Sequence, residues 1–262
     1  MNHPASIAPK PLGGLYRTGR QLLALIQAVA DGFRLGLLKP ETIFRLGQRA
    51  YETQTGYQSE ALNRAGLHDW ELRAVQTHFS HCRRWLIAAA GGGREVLALH
   101  QRGCEADGFE CHPDFVAFAN RLLATDGFPA SVRLAPPDEC VSSGDKYDAL
   151  VIGMGAYVHI QTRAKRISFL RQMRARAPAG TPLLLSFYLR PLDARRFAVT
   201  ARVGNLFRRV LSRPLLETGD SFTKYFVHFF TPEEIEDELA SAGFELAAFD
   251  LEEFPHAVAK VR

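Results

Sequence analysis

Two textures of apolar residues divide the chain. From about Arg17 to Phe79 they recur at helical spacing: Leu22, Leu23, Ile26, Val29 and Phe33, then Ile43 and Leu46, then Leu62 and Leu67 after a turn near Gly56. Lys39-Pro40 separates the first helix from the second. From Trp85 the apolar residues gather into short unbroken runs. "WLIAAA", "CEADGFEC", "SVRLAPPD", "YDALVIGMG" and "PLLLSFYL" read as strands. Between them "REVLALHQRG", "HPDFVAFANRLLATDG" and "RAKRISFLRQMRARAP" read as helices, with Pro113 in a first turn and Gly103 and Gly127 at stops. "FTPEEIEDELASAG" carries an N-cap at Thr231, Pro232 at the first helical position and Glu234 closing a capping box. "FELAAFDLEEFPHAVAKVR" reads as two strands with a tight connection. Nearly all-apolar strands alternating with helices imply a parallel sheet covered on both faces. The pattern predicts a helical extension over 1–80 and an α/β core over 81–262, with an insertion over 190–230. Residues 1 to about 15 are rich in Pro and Gly and are expected to fray.

Gly91, Gly92 and Gly93 separate the first strand from the helix after it. Glycine is the costly choice for ordinary packing, so three in a row suggest that something approaches the backbone closely. In an open α/β sheet, ligands lie outside the carboxyl ends of the strands, where this loop sits. Glu110 ends the next strand, where an acid would accept hydrogen bonds from ribose hydroxyls. Together they suggest a nucleoside-containing ligand. The dinucleotide fingerprint is not met, because Val96 stands at its third glycine position, and no G-K-[ST] follows to make a P-loop.

Composition adds little. A chain of 262 residues, 47% hydrophobic and 23% charged, has ample material for a core. A net charge of +4 permits an anionic partner without demanding one. Cys82, Cys104, Cys111 and Cys140 show no C-x-x-C spacing and read as reduced thiols of a cytoplasmic protein. "LLALIQAVAD" is short, contains Gln27 and lies behind a long polar lead, so it is not read as an export signal. No run reaches membrane-spanning length. His78, His81 and Cys82 lack a clear fourth ligand, and no metal is expected.

In their order, "LIAAAGGGREVLAL", "DGFECHPDFVAFA", "YDALVIGMGAYVHI", "APAGTPLLLSF" and "FTPEEIEDELASAGF" resemble the successive motifs of class I S-adenosylmethionine-dependent methyltransferases. The resemblance covers about Trp85 to Arg262. It implies a Rossmann-like, seven-stranded, mostly parallel α/β sheet with an antiparallel last strand and helices on both faces. It implies S-adenosyl-L-methionine as cofactor. Ala89, Ala90, Gly91, Gly92 and Gly93 would form the cofactor loop, and Glu110, followed by Cys111, would hold the ribose. Asp138 would lie near the adenine, and Gly153, Met154 and Gly155 beside the methyl group. The chain departs from the family at Ile87, where an acid is usual, and at Ala89, where a glycine is usual. Glu95 reads as a complement to the helix dipole.

Methyl transfer is an in-line displacement, and the protein's part is to orient the reactants and keep the site dry. A base is needed only where the acceptor must lose a proton. His159 and His228 are the candidate bases, with Tyr157 and Tyr188 as orienting hydroxyls. The [DN]-P-P-[YFW] tetrad is absent after the fourth strand, which argues against adenine-N6 and glutamine acceptors. The insertion carries Arg190, Arg195, Arg196, Arg202, Arg208, Arg209, Arg213 and Lys224 among Phe197, Phe207, Phe222 and Tyr225. It reads as a lid for a small anionic or aromatic acceptor, or else as a solvated amphipathic helix. Tyr51, Tyr57 and Trp70 are candidate walls from the N-terminal side. A non-catalytic cofactor-binding scaffold and an RNA methyltransferase remain as other readings. RNA binding would call for a broader basic surface or an added recognition module, and the sequence shows neither.

Overall fold

The structure, a computed structural model, describes residues 14–53, 55–141, 144, 146–191 and 195–262. The fraying expected at the N-terminus falls largely outside these residues. Helices α1 (Gly14–Leu37), α2 (Pro40–Glu52), α3 (Glu60–Asn63) and α4 (Asp69–His78) come first, with a 3-10 turn over Thr55–Gln58. The core then alternates: β1 (Arg84–Ala88), α5 (Arg94–Gln101), β2 (Glu105–Glu110), α6 (Pro113–Thr125), β3 (Val132–Leu134), β4 (Ala149–Ile152), α7 (Arg163–Arg174) and β5 (Pro182–Ser186). Helix α8 (Arg195–Val210) and the hairpin of β6 (Asp220–Phe222) and β7 (Phe226–His228) follow. Helix α9 (Pro232–Ala242), β8 (Phe244–Asp250) and β9 (His256–Val261) end the chain.

Seven strands form one sheet in the order β3-β2-β1-β4-β5-β9-β8. Strands β1 to β5 run parallel, and β9, the last strand, runs antiparallel to both its neighbours. This is the sheet that the family resemblance implies, and its parallel part is what the apolar runs predict. Side chains alternate across it. Trp85, Ile87, Val151 and Leu184 pack on α4, α5 and α6. Leu86, Ala88, Leu150, Ile152, Leu183 and Leu185 pack on α7 and α9. Burial on both faces explains why polar residues are missing from these strands. The capping box of α9 forms as read: Thr231 accepts from Glu234 N, Glu234 accepts from Thr231 N, and Gly243 ends the helix at φ +89.

A third, smaller core joins the N-terminal helices to the insertion. Leu35, Ile43, Ala201, Leu216, Phe222 and Phe226 form it. Helices α1 and α8 cross where glycines let their backbones meet: a Cβ on Gly36 would lie 2.9 Å from Gly204 O. Leu22, Leu23, Leu25 and Ile26 on α1 are exposed. No helix among the described residues is long and apolar enough to cross a membrane.

The sheet order reverses between β1 and β4, and a switch point of this kind opens a crevice at the carboxyl ends of the strands. Ala88, Glu110 and Ile152 end the strands around it. The site described next lies there.

Candidate functional site

Each of the three glycines is needed for a different reason. Gly91 has φ +52, and a Cβ there would meet nothing closer than the Tyr57 ring at 3.7 Å; the residue faces the open cavity. A Cβ on Gly92 would run into Tyr57 O and the Asn63 amide, so this glycine admits the N-terminal segment. Gly93, at φ +93, packs the start of α5 against Ala119 of α6, 3.0 Å from a built Cβ. Ala89 has φ +53, a left-handed conformation that costs a non-glycine residue roughly 1–2 kcal/mol. That is the position where the resembled family carries glycine.

Glu110 gathers the loop ends. Its Oε2 accepts from Gly91 N at 3.0 Å, and its Oε1 accepts from Cys111 N at 2.7 Å and His112 N at 3.0 Å. A carboxylate offers about four acceptor positions, so capacity remains for a ligand hydroxyl. Burial pushes the Cys111 thiol well above its ordinary pKa, which keeps it protonated.

A cavity of about 210 Å³ opens between these strand ends and α2. One end is a slot of Phe109, Phe115, Phe169, Pro136 and Pro137, with Asp138 and Glu139 at its rim. Asp138, at φ +59, is held by Lys165 Nζ at 3.0 Å. The other end is lined by Tyr51, Tyr57, Met154, Ala156, His159 and Tyr225. Among the described residues no Lys or Arg lines the cavity.

His159 is oriented on both nitrogens. Its Nδ1 lies 2.8 Å from Phe226 O, which can only accept, so Nδ1 carries the proton. Nε2 is therefore bare and accepts from the Tyr51 hydroxyl at 2.7 Å. Burial lowers the His159 pKa, so the imidazole is neutral at neutral pH. Burial also raises the Tyr51 pKa, which keeps that hydroxyl a donor.

The structure thus brings Ala89, Gly91, Glu110, Cys111, Asp138, Met154 and His159 to one cavity. Other expected residues stand apart from its lining. Ala90 points into the core against Gly108, and Gly92 and Gly93 serve the packing described above. Gly153 lets the β4 turn approach β1, since a Cβ would lie 2.5 Å from Ala89 O. Gly155, at φ +68, is tied by its N–H to Ser186 Oγ at 2.9 Å.

Two catalytic expectations need correcting. Tyr157 is 0% exposed and donates its hydroxyl to Glu238 Oε2 at 2.7 Å, inside the α7–α9 layer. His228 is 1% exposed, with Nδ1 2.7 Å from Asp220 Oδ1. Burial pushes the His228 pKa down, but the hydrogen bond to Asp220 and the Glu234 carboxylate 3.8 Å from Nε2 outweigh that and leave it raised. Both side chains are committed to the fold.

The arginines of the insertion do not reach the cavity either. Arg208, 3% exposed, donates to Leu35 O at 3.0 Å and Pro214 O at 2.6 Å. Arg213 donates to Leu37 O and Leu38 O, and Arg190 to Glu234. They satisfy the carboxyl end of α1 and the start of α9. Of the insertion, Tyr225 and Phe226 line the site. Trp70 stacks on Phe254 and is buried away from it. Phe44, Gln48, Gln161 and Phe169 also line the cavity. They went unread because nothing local sets them apart from core or surface residues. Among the described residues no cluster of side chains could hold a metal.

No protein-family model and no curated protein sequence matches the chain. Solved structures do. CalS10, an amino pentose methyltransferase from Micromonospora echinaspora solved with S-adenosylmethionine bound, is 18% identical, with 79% of this chain and 96% of that chain covered and a TM-score of 0.55. The sugar N-methyltransferase KedS8 from a Streptoalloteichus species is 16% identical over 100% of this chain and 98% of that one, with a TM-score of 0.55. An S-adenosylmethionine-dependent methyltransferase from Clostridium acetobutylicum is 10% identical over 81% and 99%, with a TM-score of 0.58. Strand order, the antiparallel last strand and these likenesses agree: the chain has the fold of the class I S-adenosylmethionine-dependent methyltransferases.

Proposed function

We propose that the protein is an S-adenosylmethionine-dependent methyltransferase acting on a small molecule. The observation that carries this reading is Glu110. Its carboxylate sits at the end of β2, ties the Gly91 turn to the Cys111 and His112 amides, and borders a cavity at the sheet's switch point. The donor set suits a nucleoside: a carboxylate for ribose hydroxyls, an aromatic and proline slot for a base, and an open glycine for close backbone approach. Ile87, where the family carries an acid, is buried in the core and does not take part. S-adenosylmethionine bound there supplies an electrophilic methyl group.

The chain's own residues do the rest. Tyr51, Tyr57 and Tyr225 wall the acceptor end against water. His159, neutral and aimed by Phe226 O, is the base that takes the acceptor's proton through the Tyr51 hydroxyl bound to its Nε2. Helix α2 and the 190–230 insertion together form the acceptor side, through Tyr51 and Tyr225, whose rings stack at 5.2 Å. The names of CalS10 and KedS8 fit a small acceptor of this size.

His159→Gln is expected to lower single-turnover methyl transfer by about a hundredfold. S-adenosylhomocysteine affinity, measured by calorimetry, is expected to stay unchanged, since His159 touches the acceptor end alone. Transfer at the parent rate would remove His159 from the reaction.

A further inference from the structure

We infer that the acceptor is an uncharged-bodied amine, methylated on nitrogen, and that the tyrosine wall around Tyr51 and Tyr225 selects it against acceptors bearing phosphate or carboxylate. The inference rests on the methyltransferase reading and deepens it.

The charge of the cavity is the first observation. Glu110, Asp138 and Glu139 border it; Lys165 is paired with Asp138 at 3.0 Å, and no Lys or Arg is among the lining residues described. Of the arginines that composition offered to an anion, Arg190, Arg208 and Arg213 are bound to main-chain carbonyls and to Glu234 instead. A phosphate or carboxylate brought here would lose its hydration without a cationic partner, and desolvation of an unpaired anion is costly.

The second observation is the wall itself. Tyr51 stacks on Tyr225 at 5.2 Å and meets Tyr57 edge-on at 5.5 Å. His159 packs edge-on against Tyr51 and Tyr225 at 5.7 and 5.1 Å. Tyr188 stands behind them, its hydroxyl 3.1 Å from the Cβ position of Gly155. Burial raises the pKa of Tyr51, Tyr57 and Tyr188, and the neighbouring phenols add to the shift. They stay protonated, and present hydroxyl oxygens and electron-rich ring faces. Such a surface accepts hydrogen bonds from an N–H and attracts positive charge.

The chemistry matches. In N-methylation the amine lone pair forms the new N–C bond, and the pair of the broken C–S bond stays on sulfur. Positive charge passes from sulfur to nitrogen, so a cation is present before and after transfer. A wall of neutral tyrosines tolerates it throughout. Before transfer the ammonium gives one proton to the Tyr51 oxygen as the Tyr51 hydroxyl proton moves to His159 Nε2, which frees the lone pair.

The test uses three probes with one body: cyclohexylamine, cyclohexyl phosphate and cyclohexanecarboxylate. Each is titrated by calorimetry into the S-adenosylhomocysteine complex of the full chain. The amine is expected to bind at millimolar concentration or better, and the two anions not at all. Tyr225→Leu is expected to weaken the amine roughly tenfold, and Tyr225→Phe less, since the ring face remains. An anion that binds more tightly than the amine overturns the inference. So does amine affinity unchanged in Tyr225→Leu, or no amine binding to a complex that has formed. Failure of S-adenosylhomocysteine itself to bind would instead take down the methyltransferase reading beneath it.

Discussion

Replacing Glu238 by Ala is expected to lower the free energy of unfolding by roughly 3–5 kcal/mol, the cost of removing the buried partner of a buried charge. The charge left behind is Arg166, 0% exposed in α7. Its Nε and Nη2 donate to Glu238 at 3.0 and 2.7 Å, and Nη2 also reaches Glu217 Oε2 at 2.6 Å. The guanidinium lies over the Phe230 ring, 5.1 Å from its centroid. Glu217 alone would then face it, and Tyr157 would lose its acceptor as well. Tyr157→Phe removes one hydrogen bond and keeps the ion pair, so it should cost about 1 kcal/mol. Urea unfolding of the two variants beside the parent measures both. A loss below about 1 kcal/mol for Glu238→Ala would mean that water reaches Arg166.

The second large effect belongs to the loop. Gly91→Val is expected to abolish S-adenosylhomocysteine binding, and Gly91→Ala to weaken it less. Both variants carry a left-handed backbone penalty at φ +52, roughly 1–2 kcal/mol for Ala and more for the β-branched Val. A Cβ there meets nothing closer than the Tyr57 ring at 3.7 Å, so the fold should tolerate Ala, and Val adds two γ carbons to it. They differ in the branched γ carbons of Val, which project into the cavity beside Glu110. Circular dichroism confirms folding, and calorimetry reads affinity. Equal affinity in Val and Ala variants would place the ligand away from this turn.

The parts of the fold legible in the sequence were those with a local cause. Strands buried on both faces read as apolar runs, and Thr231-Pro232-Glu234 announced a helix start through its own hydrogen bonds. The end of β1 was harder to place: "WLIAAA" extends the strand to Ala90, whereas Ala89 turns left-handed after Ala88. Three alanines carry no mark of that turn. The β6–β7 hairpin escaped notice because three-residue strands have no period to detect.

The site divides the same way. Glu110 and the glycines lie on consecutive elements, so spacing alone suggested their meeting. Tyr51 and His159 are 108 positions apart, and only the packing of α2 over the strand ends joins them. His159 and His228 look alike in sequence, yet His228 finds Asp220 eight positions away and is sealed in. The arginines of α8 misled for a physical reason. Arg208 is drawn to the unsatisfied carbonyls that close α1, a demand visible only once the two helices cross.

Glu110 and the Gly91 turn are expected to hold the nucleoside of S-adenosylmethionine. A calorimetric titration of S-adenosylhomocysteine into the parent protein and Glu110→Ala, side by side, tests it most directly. The account predicts one-to-one binding to the parent. It predicts a loss of about 1–3 kcal/mol in the variant, from missing hydroxyl partners and a loosened loop. No binding to the parent at millimolar concentration, or equal affinity in the two proteins, would contradict it.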